Sequence, residues 1–126
     1  MDQESEELGA IKHDNDKIRM DLIPYDVIVE IGKVLTFGAN KYSARNWEAG
    51  FHWSRVYAAL QRHLALWFQG QEKDQETGLS HLAHAGCCLF FLLAFVLRGV
   101  GKDDRPKLSP ESLKTMENYV SPNKTP

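Results

Sequence analysis

Residues 85–97, AGCCLFFLLAFVL, form an apolar run whose only polar atoms on the side chains are two thiols. Arg98 ends it well short of the ~20 residues a membrane span needs, so it predicts a core or interface helix rather than an anchor. A helix that is apolar all round must be covered on every side. A chain of 126 residues with 43% hydrophobic content suits one domain with one small core and has few elements to do the covering. The run therefore predicts self-association, a dimer or tetramer.

Upstream of this run the chemistry is dense. Residues 54–68 carry Val56, Leu60, Leu64 and Trp67 at helical spacing, with His63 on the same stripe. In the helix predicted over 81–97, His81, His84, Cys88, Phe91 and Phe95 recur every three or four residues, so the two histidines lie one above the other. Folding the two helices antiparallel across a polar loop at 69–79 puts His63 about two turns below the loop and His84 about one turn below it, nearly level. The loop adds Asp74 and Glu76. A lone histidine on an apolar face is ordinarily a core residue, and loop acids are ordinarily solvated. Five such groups at one end of a hairpin, His63, Asp74, Glu76, His81 and His84, offer the imidazole and carboxylate donors that divalent ions accept.

The remainder reads as one domain over residues 13–120, between a flexible N-terminal tail at 1–12 and a disordered tail at 121–126. Residues 13–22 alternate charged and apolar side chains, as an extended arm does. Pro24 suits a helix first turn, and Val27, Ile28, Ile31, Val34, Leu35 and Gly38 mark the inner face of a helix running to about Tyr42. Residues 43–53, SARNWEAGFHW, read as a loop with three aromatics. Gly99, Gly101 and Pro106 close the apolar helix, and Ser109-Pro110-Glu111 starts a short fourth one with serine as cap and proline at its first position. The acidic, polar N-terminus is unlike a signal peptide. Adjacent Cys87 and Cys88 make neither a disulfide framework nor a metal knuckle and fit a reducing cytoplasm.

The net charge of −2 offers no basic field for a nucleic acid backbone, and neither GxGxxG nor a P-loop lysine motif occurs. Phosphate would have to be held by local cations: Lys17 and Arg19 in the arm, Lys41 at the end of the first helix, Arg45 in the loop, and Arg62 beside His63, the one best placed for it. Lys33 and Arg55 read as surface charge. Loop tryptophans such as Trp47 and Trp53 are more often packing residues than base platforms, but Asn46 beside Trp47 points to purine binding, because an amide reads a base edge while an indole stacks on its face.

The segments KIRMDLIP (17–24), VLTFGANKY (34–42), NWEAG (46–50), RHLALW (62–67) and DQETGLSHLAHA (74–85) occur in an order and at gaps that resemble the phage dATP/dGTP diphosphohydrolases of the MazZ type. The resemblance covers roughly residues 12 to 98. It implies an all-α, MazG-like bundle of three to four helices completed by oligomerisation. It also implies magnesium- or manganese-dependent hydrolysis of dGTP, with GTP and dATP as further substrates, to monophosphate and pyrophosphate. In phages that replace adenine with 2-aminoadenine, the dGMP feeds synthesis of the modified nucleotide. The chain departs from the wider MazG pattern, since EExxE and ExxD are absent as such and His81-Leu82-Ala83-His84 stands in the place of ExxD. Imidazole ligands would favour manganese, cobalt or zinc over magnesium. Alternatively, His81 and His84 handle phosphate oxygens or protons while Asp74, Glu76 and Glu30 hold the ions.

In either version Glu76 or Asp74 serves as general base or orients the attacking water, Lys17, Arg19, Lys41 and Arg62 bind phosphates, and Asn46 with Trp47 holds the purine. A non-catalytic helical module with a structural metal and a scaffold docking through the apolar helix are the competing readings. An HD-type hydrolase is disfavoured, because the one His-Asp dipeptide, His13-Asp14, lies in the arm.

Overall fold

The computed structural model describes residues 8–122. Most of the two predicted tails therefore falls outside the described residues. Four helices carry the fold: α1 (Tyr25–Lys41), α2 (Trp53–Phe68), α3 (His81–Arg98) and α4 (Pro110–Val120), with no strand among the described residues. The expected all-α helical bundle is what is found. Single 3-10 turns at Met20–Leu22 and Asn46–Ala49 interrupt the segments read from sequence as arm and loop.

Helices α2 and α3 form an antiparallel hairpin, and α1 lies against α3. Helix α1 starts directly after Pro24, whose carbonyl accepts the first helical bond from Ile28 N–H. Its buried face is Ile31 and Val34, which meet Ala83 and Cys87 of α3 with Leu35, Leu79 and Phe91 around them. Gly86 permits the close approach of these two helices, because a Cβ there would stand 2.9 Å from Ile31 Cδ1. Val27, expected on the inner face, is half exposed. It lies in the first turn of α1, beyond the reach of that small core.

Ser80 caps α3 by accepting from the N–H groups of Leu82 and Ala83, and Gly99 ends it in the left-handed conformation at φ +65°. Phe95 and His81 are the largest fully buried side chains. The 18 residues of α3 have a mean hydropathy of 1.7, long and apolar enough by those measures alone to cross a membrane. Yet its inner face is packed on α1 and α2, while Leu89, Leu93, Val96 and Leu97 remain 54%, 59%, 55% and 76% exposed. One side of the apolar rod is covered and the other is bare.

The chain after α3 folds back onto the start of α2. Trp53 N–H donates to Lys102 O, Lys102 N–H to Phe51 O, and the Trp53 indole N–H to Val100 O, all at 3.0–3.1 Å. Asp104 takes the place of a conventional cap for α2, accepting from both the N–H and the hydroxyl of Ser54, and the Arg105 guanidinium lies 5.0 Å from the Trp53 ring. Helix α4 begins as its sequence predicts, with Ser109 Oγ accepting from Ser112 N–H and Pro110 at the first position. None of its residues is buried.

Candidate functional site

The loop between α2 and α3 is a hydrogen-bonded hairpin. Asp74 Oδ1 accepts from the N–H groups of Glu76 and Thr77, both at 2.9 Å, the turn produced when an aspartate bonds the backbone just ahead of it. Gly78, at φ +71°, supplies the left-handed residue and donates to Asp74 O. Asp74 N–H and His81 N–H then donate to Leu79 O and Glu72 O, so both ends of the loop are tied. The Thr77 hydroxyl accepts from Leu79 N–H and lies 2.7 Å from His84 Nε2.

Three histidines meet under this loop. The His63 and His84 rings stack at 4.5 Å and 8°, which makes them level as the helical register requires. His81, 1% exposed, has Nε2 2.6 Å from Gln71 Oε1 and Nδ1 2.9 Å from His63 Nδ1. Because the Gln71 carbonyl can only accept, His81 donates to it from Nε2, and its Nδ1 is the nitrogen turned toward His63. Donor atoms of His63, Asp74 and His81 all fall within 4.8 Å of one another.

This donor set fits a divalent cation. Fixing one imidazole nitrogen with an amide oxygen so that the other presents its lone pair is the usual support of a metal-binding histidine. Two nitrogens 2.9 Å apart are spaced as neighbouring vertices around an ion with bonds of about 2.1 Å. Burial, and then the neighbouring His84 and His81, hold the His63 imidazole below its usual range; burial outweighs Asp74 to do the same for His84. Both are therefore neutral at pH 7. For Asp74, partial burial works against the charge but is outweighed by the Thr77 and Glu76 N–H groups and by His84, so its carboxyl titrates below the usual value.

A pH dependence follows. With His63 and His84 depressed in the folded chain, the unfolded chain takes up protons first. Their contribution to stability is complete above an unfolded value of about 6.5 and is lost as pH falls through the lower folded values. In chelator, Tm is expected to decline as pH drops from 7 to 5, and a His63→Asn/His84→Asn double variant to flatten that decline. A double variant that keeps the wild-type slope would contradict the assignment.

The other residues singled out from sequence are placed as follows. Glu76 is exposed and paired with Lys41, and the bond to Glu76 raises the Lys41 pKa. Arg62 is exposed on α2 next to His63. Arg19 pairs with Asp21 at 2.7 Å, and Lys17 is exposed just before that turn. Glu30 is engaged by Lys33 along α1 at 2.6 Å. Trp47 is half buried and stacked on Phe91 at 4.6 Å, with the Arg98 guanidinium 5.5 Å from its ring. It thus forms part of a wall.

That wall belongs to a cavity of about 580 Å³, bounded by Leu35 and Gly38 of α1, Asn46 and Trp47 of the 3-10 turn, and Cys87 and Phe91 of α3. Cys87 is one turn along α3 from His84, and Lys41, at the end of α1, reaches across to Glu76 in the histidine loop. The cavity and the histidine cluster are therefore neighbours. Sequence reasoning missed Gln71 and Thr77, which position His81 and His84. Thr77 was accessible in principle, three residues after an aspartate and one before a glycine. Gln71 carries no local signal.

Residues 9–105 match the family described as dATP/dGTP diphosphohydrolase, N-terminal. The dATP/dGTP diphosphohydrolase of Salmonella phage PMBT28 is 35% identical over 98 residues, a stretch that is 78% of this chain and 33% of that protein. The chain spans about a third of the length of the relative it matches. No solved structure matches it.

Proposed function

Since the chain belongs to the family of dATP/dGTP diphosphohydrolase N-terminal domains, we propose that it hydrolyses purine deoxynucleoside triphosphates, dGTP above all, to the monophosphate and pyrophosphate with a divalent metal, manganese or magnesium. The observation that carries this reading is a supported His63–Asp74–His81 donor set on a hairpin whose α3, one turn beyond His84, also walls a cavity of about 580 Å³, a volume ordinary for small-molecule sites. His63, Asp74 and His81 would hold the ion, with cobalt or zinc as alternatives that imidazole also accepts. When bound, such an ion activates water and offsets the charge of the phosphates.

The chain's own groups do the remainder. Glu76, exposed at the lip of the loop, takes the proton of the attacking water, and Lys41, already beside it, turns to a phosphate oxygen when substrate enters. Arg62 is the second phosphate cation, with Lys17 and Arg19 closing from the arm. The purine enters the cavity against Phe91 and Trp47, with the Asn46 amide at its edge. GTP and dATP are secondary substrates. In a phage using 2-aminoadenine the dGMP would be consumed in making that nucleotide. The bare face of α3 supports a homo-oligomer, and the two free thiols, Cys87 pushed up to about 12 by burial, suit the host cytoplasm.

The test is direct. Purified protein incubated with each dNTP and manganese is expected to yield pyrophosphate and monophosphate, resolved by anion exchange, with dGTP fastest. Triphosphate as product, or intact nucleotides throughout, would overturn the reading.

A further inference from the structure

We propose that Glu48 selects guanine, by accepting from the N1–H and the 2-amino group of the base in the cavity next to the histidine cluster. This rests on the nucleotide reading above and assigns its base specificity to one side chain.

Glu48 is the one carboxylate lining the cavity. Its side chain is 31% exposed. Its two ion pairs are long, 3.5 Å to Arg98 and 3.8 Å to Arg45, and both run through Oε1, leaving Oε2 outside them. A carboxylate so loosely held against an apolar wall retains acceptor capacity. Arg45, which also lines the cavity, is the one non-glycine at positive φ among the described residues, at +60°. That conformation costs an L-residue energy and persists where surrounding structure holds it.

The chemistry of the bases decides what such a rim reads. Guanine presents two parallel donors, N1–H and N2–H, which two carboxylate oxygens match in the way they match a guanidinium fork. Its O6 and N7 are acceptors of the kind an arginine takes bidentately, and Arg45 stands three residues before Glu48. Adenine places an unprotonated N1 against the carboxylate and has no 2-amino group, so it meets repulsion where guanine forms bonds. Hypoxanthine keeps N1–H but lacks the amino group and should fall between.

Equilibrium binding of dGMP, dIMP and dAMP reads this without depending on turnover. Wild-type protein is expected to bind dGMP at least about tenfold tighter than dIMP, and dIMP tighter than dAMP. Glu48→Gln is expected to weaken dGMP at least about tenfold while leaving dAMP within about threefold, because a glutamine amide can also pair with adenine. An unchanged dGMP-to-dAMP ratio in a folded Glu48→Gln variant overturns the proposal. Should that variant fail to fold, equal wild-type affinities for dGMP and dIMP overturn it on their own. Glu48-dependent dGMP binding without hydrolysis of any dNTP would sink the proposed activity and leave this assignment standing; hydrolysis with no Glu48-dependent preference would do the reverse.

Discussion

Replacing Asp74 by Asn is expected to lower the proposed dGTP hydrolysis by at least about 100-fold while leaving the metal-free fold intact. The substitution separates the two tasks of this residue. Its Oδ1 accepts from Glu76 and Thr77 N–H, and an asparagine carbonyl preserves both bonds and hence the loop. What disappears is the negative charge beside His63 and His81, the only carboxylate in that donor set. The accompanying measurement is thermal stability with and without manganese. A ligand at 100 times its Kd stabilises the fold that binds it by about 2.7 kcal/mol. Wild-type protein should show such a gain and Asp74→Asn little of it. Wild-type rates together with a wild-type metal response in the variant would remove Asp74 from the site.

Gly101→Ala is expected to destabilise the chain by more than about 3 kcal/mol, a large share of the 5–15 kcal/mol typical of a domain. Gly101 sits at φ +80°, and a Cβ there would stand 2.5 Å from Phe51 O and 3.1 Å from Trp53 Nε1. Neither neighbour yields readily. Phe51 O already accepts from Lys102 N–H, and the indole donates to Val100 O. Displacing this crossing would also carry Asp104 away from Ser54 and uncap α2. Gly99 is the matched control, at φ +65° with no heavy atom within 4 Å of a built Cβ, so its alanine variant should cost only about 1 kcal/mol. Urea unfolding of both variants checks the contrast; equal costs would show that backbone conformation, not the crossing, sets the penalty.

The helices were legible because their signals are local. Ser109-Pro110 and Gly99 punctuate elements at the positions where caps and stops are needed, and a 3.6-residue period placed His63, His81 and His84 within reach of one another. Trp47 was harder. An aromatic beside an asparagine in a loop reads as a stacking surface for a base, and only the tertiary approach of Phe91 makes it a wall. Gln71 and Asp104 were invisible for the same reason, since each acts on a partner at the far side of a loop or crossing. Glu76 lay in the predicted loop, but its pairing with Lys41, 35 residues earlier, depends on where α1 ends relative to α3.

Where Gly86 faces Ile31, the Cβ that any other residue would carry is missing, and α1 nestles into the gap. The same two helices go on to form opposite sides of the cavity, Leu35 and Gly38 on one and Cys87 and Phe91 on the other. The bore of that chamber is thus gauged by a hydrogen atom outside it. Enlarging position 86 would wedge the rods apart and resize the opening for whatever enters, with every group that touches the guest left chemically untouched.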